Sequence, residues 1–337
     1  MTAIKDINAA VYFRRNGYLP MPKVLQVEIT NYCPLNCPQC YKKRETSDIK
    51  LNVLKEVVDE AAVLGVKRIM LNGGETTMHP NFWEIVEYIN KNEIIPVCFT
   101  SGFNVNNKFV DEMRKCKLEL FLSFNGSNNY INSKSRDGFD IALSAAKILC
   151  ENHIRYGVNW VARHDNVKDF PNLIILLKNL KCEVVEVESN KVTDTHRMES
   201  ELTYDDYMFL GEFIKKNTDF IKVQNCYNLL GRLLYKFPEN RLYGCPAGIM
   251  SMYVSVDKEF SPCSHLNHRE KFPSIAEYWE KSDVLKVLRN VNPHELGQCN
   301  ECVHSCIFCR ANSVITIDNI LAGMDKCPLY EKKGIRI

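Results

Sequence analysis

The chain reads as an α/β protein, a partial (β/α)6 TIM-like barrel followed by a C-terminal cysteine-rich domain. Three observations predict this. Between residue 24 and about residue 190, short β-rich runs alternate six times with amphipathic stretches of roughly 10–15 residues, the pattern of βαβ units and a parallel sheet. After residue 200 the alternation stops. Of the 15 cysteines, three stand within residues 33–40 and seven between residues 245 and 327.

The N-terminal extension, residues 1–23 (MTAIKDINAAVYFRRNGYLPMPK), has no uninterrupted apolar stretch of the kind a signal peptide needs. The barrel is expected over residues 24–200. Its strands are VLQVEIT (24–30), KRIMLN (67–72), IPVCFT (95–100), LELFLSF (118–124), GVNWVA (157–162) and EVVEVE (183–188). The helix LNVLKEVVDEAAVLG (51–65) sets Leu54, Val57, Val58, Ala61 and Leu64 on one face and ends at Gly65. HPNFWEIVEYINKN (79–92) carries Pro80 in its first turn, where a missing N–H costs nothing. Further helices are expected at about 106–115, 138–152 and 168–180. Residues 201–240 read as a helical linker, with LTYDDYMFLGEFIKKN (202–217) and a second helix near 224–235. In the last domain, residues 241–337, IMSMYVSVDKEFSPC (249–263) reads as a hairpin turning on Asp257-Lys258. SIAEYWEKSDVLKVLRN (274–290) reads as one helix, with Ser274 and Glu277 in capping-box positions.

Composition narrows the function. The chain has 337 residues, 45% hydrophobic and 25% charged, the ordinary balance of a globular protein. A net charge of +2, without blocks of Lys and Arg interleaved with aromatics, excludes a polyanion binder such as a nucleic-acid protein. No apolar run reaches 18 residues, so no membrane span is expected. Without an export signal the expected compartment is the cytoplasm, where disulfides are disfavoured and metal or cluster ligation is the better use of cysteine. Cys98, Cys116, Cys150, Cys182 and Cys226 are scattered and read as small buried hydrophobes.

The loop NYCPLNCPQCYKK (31–43) follows the first strand directly, with Cys33, Cys37 and Cys40 spaced C-x3-C-x2-C. Loops at the C-terminal ends of barrel strands carry function. Three thiolates on one loop suit three irons of a cubane with the fourth left open, as a catalytic metal requires. A zinc knuckle with a distant fourth ligand, or a redox cysteine pair, is the alternative. Later strands also end in small polar motifs: NGGE (72–75), TSG (100–102), SFNG (123–126) and ARHDN (162–166). Near the C-terminus, Cys299, Cys302, Cys306 and Cys309 form a dense C-x2-C-x3-C-x2-C run. One zinc on those four would leave Cys245, Cys263 and Cys327 unexplained.

The C-x3-C-x2-C loop after the first strand resembles the signature of the radical S-adenosylmethionine (SAM) superfamily. The wording CPLNCPQCY resembles its peptide-modifying branch, whose members carry a SPASM domain. The resemblance covers roughly residues 24–190. It implies a cluster whose open iron chelates the amino and carboxylate groups of SAM, and an electron that breaks the S–C5′ bond to give a 5′-deoxyadenosyl radical. Matched position by position, it implies cofactor contacts from Gly73, Gly74 and Glu75 at the methionine amino group. Ser101 is implied as a weaker polar contact, Ser123 and Asn125 at the ribose, and Arg163 with Asn166 at the carboxylate or ribose. Gln39 stands where the family commonly has an aromatic residue, with Tyr41 beside it as the candidate adenine contact. Thr76 replaces a proline, and Asn125 replaces an acid.

The C-terminal cysteines resemble the SPASM pattern with shortened inner gaps, and with Lys258 at the hairpin where a glycine is usual. The resemblance implies two auxiliary clusters, hence three [4Fe–4S] clusters in all. The inner one would use Cys245, Cys263 and Cys309, its fourth site open or filled by a residue such as His265. The outer would use Cys299, Cys302, Cys306 and Cys327. The implied substrate is a ribosomally synthesised peptide with a leader, undergoing crosslinking, epimerisation, decarboxylation or excision. Only 23 residues precede the first strand, so a separate leader-recognition protein or direct recognition is expected. A flavodoxin or ferredoxin is the expected electron donor. The alternative is a small-molecule dehydrogenase or epimerase acting on a sugar or aminocyclitol. A non-catalytic iron–sulfur carrier would have no use for NGGE. Cys226 is the candidate catalytic hydrogen donor, against its reading as a buried thiol. Tyr227, Glu186, Glu188 and Asp257 qualify as acid or base only if they face the barrel mouth.

Overall fold

The computed structural model describes residues 7–42, 46–191, 200–224, 245–266, 268–292, 295 and 309–313. Six parallel strands lie side by side in chain order: β1 (Val24–Thr30), β2 (Arg68–Gly73), β3 (Ile95–Thr100), β4 (Glu119–Ser123), β5 (Gly157–Ala162) and β6 (Val184–Ser189). Each begins and ends within one residue of the expected span. The helices are α1 (Ile7–Asn16), α2 (Leu51–Val63), α3 (Phe82–Lys91), α4 (Asn107–Met113), α5 (Asn129–Asn132), α6 (Phe139–Glu151), α7 (Phe170–Asn179) and α8 (Tyr204–Lys215).

Alternation decides which side of each strand is apolar. On β1, Leu25, Val27 and Ile29 are fully buried in the core, as is the Leu54, Val57, Val58 and Ala61 stripe of α2. Leu64, the C-cap of α2, is partly buried and packs against the same core. The opposite face of β1 is polar: Gln26 lines a cavity and Glu28 forms an ion pair with Lys42. The barrel therefore has an apolar outer layer under its helices and a polar lumen.

The sheet extends beyond the six strands at both edges. Residues 201–224, expected as helical linker, contain α8 and a short strand β7 (Ile221–Val223) that pairs parallel with β6. At the other edge, β8 (Ser251–Val254) pairs parallel with β1, from Val24↔Ser251 to Val27↔Val254. β9 (Phe260–Ser261) then pairs antiparallel with β8, giving the order β7-β6-β5-β4-β3-β2-β1-β8-β9. The four residues of β8, SMYV, are all buried, as befits a strand with neighbours on both sides.

Two local expectations are corrected. The β8–β9 connection is not a two-residue turn on Asp257-Lys258. It spans residues 255–259, closed by Ser255 N–H to Glu259 O at 2.9 Å, with Lys258 in the left-handed region at φ 58°. The helix expected over 274–290 is two helices, Ile275–Lys281 and Asp283–Arg289. Ser282 breaks it: its backbone leaves helical geometry, and its Oγ accepts from Leu285 N–H and donates to Glu270. Trp279, fully buried, donates Nε1–H to Leu19 O at 3.0 Å and ties the N-terminal segment to this layer. The helix expected near 224–235 lies outside the described residues.

Candidate functional site

A cavity of about 260 Å³ opens at the C-terminal ends of the barrel strands, and Cys33, Cys37 and Cys40 all line it. The three thiols are free of disulfides. Their loop is held from one side by the β4–α6 connection. Asn36 N–H donates to Asp137 Oδ2 (2.8 Å), Gln39 N–H to Ser135 O (3.1 Å), and Asn125 Nδ2–H to Gln39 Oε1 (2.9 Å). Burial pushes the Cys33 thiol up to about 11. It also raises Cys37, against the opposing pull of Arg136. Raised in this way, the free Cys33 and Cys37 thiols hold their protons at neutral pH, so metal binding must release them. Among the described residues no three His, Cys, Asp or Glu side chains gather closely enough to hold one metal ion. A cubane spreads its thiolates more widely, and three cysteines on one loop beside a cavity suit that demand.

The NGGE segment packs against the root of the cysteine loop. A Cβ at Gly73 would lie 2.2 Å from Thr30 O, and one at Gly74 would lie 2.1 Å from Tyr32 O. Only glycine permits that approach, which lets Gly74 N–H reach Thr30 O and Glu75 N–H reach Tyr32 O, both at 2.8 Å. Glu75 is buried, and five donors meet its carboxylate. Oε1 accepts from Thr77 N–H (3.3 Å), Thr77 Oγ1 (2.8 Å) and Thr100 Oγ1 (2.6 Å); Oε2 accepts from Ser101 N–H (2.8 Å) and Ser101 Oγ. Glu75 and Ser101 thus line the cavity, but their polar groups are engaged in clamping the end of β3 to that of β2. Ser123 and Tyr41 line it too.

Asn125 and Arg163, expected at the cofactor, do not line the cavity. Asn125 is fully buried behind its wall, where its side chain bonds Gln39, Ser135 Oγ and Val161 N–H. The departures at Gln39 and Asn125 are therefore one interaction. Arg163 pairs with Asp165 at 2.9 Å and reaches Asn190 Oδ1 at 3.4 Å. Asn166 donates to the carbonyls of Asn125 and Val161. All three residues close the loops after β4 and β5, whose backbone groups need polar partners.

Other side chains take the positions facing the cavity. Arg136 lines it, and its Nε is buried with no hydrogen-bond partner; the same holds for Asn159 Oδ1. A donor and an acceptor left in this state beside a cavity fit a polar ligand. The signal for Arg136 lay in its address, a cation in the β4–α6 loop at the strands' C-terminal ends. Glu188 lines the cavity, whereas Glu186, two residues earlier on β6, does not. Burial and then Glu188 push Glu186 up to about 7, and Gln224 donates its amide to it. Asp257 is exposed on the hairpin connection, away from the cavity.

The C-terminal layer closes one side. Tyr41 and His265 line the cavity with ring centroids 4.2 Å apart, and Tyr41 Oη bonds Ser264 Oγ at 3.3 Å. Burial pulls the His265 imidazole well below its ordinary value. Cys309 is buried, while Cys263 and Cys245 are half-buried. Cys226, Tyr227, Cys299, Cys302, Cys306 and Cys327 lie outside the described residues. Also among the described residues, no helix is long and apolar enough to cross a membrane.

Comparison with known proteins agrees with this geometry. Residues 27–177 match the Radical SAM superfamily. The AdoMet-dependent heme synthase of Methanosarcina barkeri is 24% identical over 91% of this chain and 96% of its own length. The PqqA peptide cyclase of Gluconobacter oxydans is 26% identical over 50% of each chain, so this chain spans about half of that relative. The crystal structure of Streptococcus suis SuiB bound to S-adenosylmethionine superposes with TM-score 0.77 at 17% identity, covering 95% of this chain and 80% of SuiB.

Proposed function

The chain belongs to the radical SAM superfamily through residues 27–177, and on that premise we propose that it modifies a ribosomally synthesised peptide. One observation carries the catalytic reading: Cys33, Cys37 and Cys40 share a single cavity with the glycine-turned end of β2 and the Glu75-clamped end of β3. Cys33, Cys37 and Cys40 would hold a [4Fe–4S] cluster, which together with SAM would supply one-electron reductive cleavage of the sulfonium. The protein's own residues fix the geometry. The backbone carbonyls around Gly73 and Gly74 are acceptors for an ammonium. Arg136, with its partnerless buried Nε, takes the carboxylate. Glu75 holds Thr100 and Ser101 in place, and Tyr41 with His265 walls the site toward the C-terminal layer. Glu188 lines the same cavity from the end of β6.

The peptide substrate is supported by the likeness to the PqqA peptide cyclase, and the SuiB fold is compatible with it. Within this reading Cys245, Cys263 and Cys309 hold an inner auxiliary cluster, its fourth site open or filled by His265. Cys299, Cys302, Cys306 and Cys327 hold the outer one, and Cys226 is the candidate hydrogen donor. Its setting is the cytoplasm, with a flavodoxin or ferredoxin as electron donor and a separate leader-recognition protein where the leader is not bound directly. A second reading, a small-molecule substrate, is favoured by the heme synthase likeness, which runs over nearly the whole of both chains. Release of 5′-deoxyadenosine by the reconstituted enzyme separates them. Stimulation by a peptide encoded beside the gene, with a mass change in that peptide or epimerisation without one, is expected. Stimulation by a tetrapyrrole or sugar, and by no peptide, refutes the first reading.

A further inference from the structure

Lys191 stands where the cavity meets the C-terminal cysteines. It lines the cavity beside Glu188, Ser189 and Asn190, at the end of β6. Its ammonium donates to Ser189 Oγ at 2.8 Å and to Cys309 Sγ at 3.6 Å. Cys309 is buried. The Cys309 thiol therefore meets a cation at the edge of the cavity that Cys33, Cys37 and Cys40 line.

We propose that Lys191 sets the reduction potential of the auxiliary cluster held by Cys263 and Cys309. This rests on the reading of those cysteines as cluster ligands. Two effects act in the same direction. An N–H donor on a ligating sulfur withdraws electron density, and a nearby positive charge favours the more negative, reduced cluster. Burial of Cys309 limits the screening that solvent would otherwise provide. Ser189 fixes the ammonium from the other side, so the cation is positioned rather than free to turn away. Lys191 is a positioning residue in this scheme, acting on the cluster through its ligand.

The test is a potentiometric titration, followed by electron paramagnetic resonance. It uses the full-length chain with Cys33, Cys37 and Cys40 replaced by alanine, so that only auxiliary signals remain. In Lys191→Met the ratio of reduced to oxidised cluster at a fixed potential should fall at least tenfold, about 59 mV for a one-electron couple. Lys191→Arg, which keeps the charge, should stay within about threefold of the parent. Only one of the two auxiliary signals should move. If Lys191→Met fails to hold iron, Lys191→Gln replaces it, and a shift of the same sign is expected. A neutral variant with full iron content and the parent potential overturns the proposal. Absence of iron from the parent itself would instead remove the cluster reading, and the proposal with it.

Discussion

Replacing Glu75 with glutamine tests whether this residue is a clamp or a ligand. In the structure its carboxylate accepts from two backbone N–H groups and three hydroxyls, at 2.8 Å for Ser101 N–H and 2.6 Å for Thr100 Oγ1. The substitution keeps the shape but turns one oxygen into an NH2 donor. If that donor faces Ser101, its hydroxyl can rotate to accept, but the Ser101 N–H cannot. The change loses one charge-assisted bond, about 1.5–3 kcal/mol, and leaves buried donors facing each other, about 1–3 kcal/mol more. A net loss of roughly 3 kcal/mol is expected, about two orders of magnitude in the folding equilibrium. Urea unfolding of the cluster-free protein measures it, and the displaced TSG loop should weaken SAM binding by equilibrium dialysis. A variant unfolding within about 0.5 kcal/mol of the parent, yet failing to bind SAM, would refute the clamp and make Glu75 a direct ligand.

Three further outcomes follow from other contacts. Gly74→Ala places a Cβ 2.1 Å from Tyr32 O, roughly 1 Å inside contact, so a loss of about 3 kcal/mol and at least tenfold weaker SAM binding are expected; an unchanged urea midpoint would contradict the close approach. Asn125→Ala frees Gln39 from its only described side-chain partner in that wall and should speed iron loss to a chelator severalfold; equal rates would disprove the strap. Glu186 keeps its proton up to about 7 when folded but releases it near 4.5 when unfolded. The folded state therefore binds the extra proton in that window, and stability falls as pH rises through it. Glu186→Gln should stabilise the protein by about 2 kcal/mol at pH 8 and not at pH 4, as measured by unfolding at both. A gain at pH 4 equal to that at pH 8 would be inconsistent with a raised carboxyl.

Much of the fold was legible because parallel strands and their covering helices write strong local patterns. VLQVEIT, IPVCFT and GVNWVA begin and end where the strands do, and the α2 stripe packs on the core, Leu64 from its C-cap. The docking of β8 on β1 was not legible, since a short apolar run beside a turn suggests a hairpin partner and says nothing of a strand more than 200 residues away. The break at Ser282 was hidden for a similar reason: serine is tolerated in helices, and the partner that draws it out, Glu270, is set by tertiary structure. The cysteine loop and NGGE are visible as motifs, but a motif does not say which atoms remain available. Glu75 lines the cavity, but its carboxylate is consumed by neighbours. Arg163 and Arg136 are both loop cations, and only packing shows that one is paired with Asp165 while the other faces the cavity.

The most direct measurement is anaerobic reconstitution followed by iron analysis and chromatography of SAM products under a strong reductant. The proposed cluster assignment predicts about twelve irons per chain, negligible zinc, and release of 5′-deoxyadenosine. Replacing Cys33, Cys37 and Cys40 with alanine should remove about four of those irons and abolish cleavage, leaving the auxiliary iron in place. A protein that binds one zinc and no iron at this loop, or that cleaves SAM equally well without these three cysteines, would contradict the assignment of the cavity as the radical-generating site.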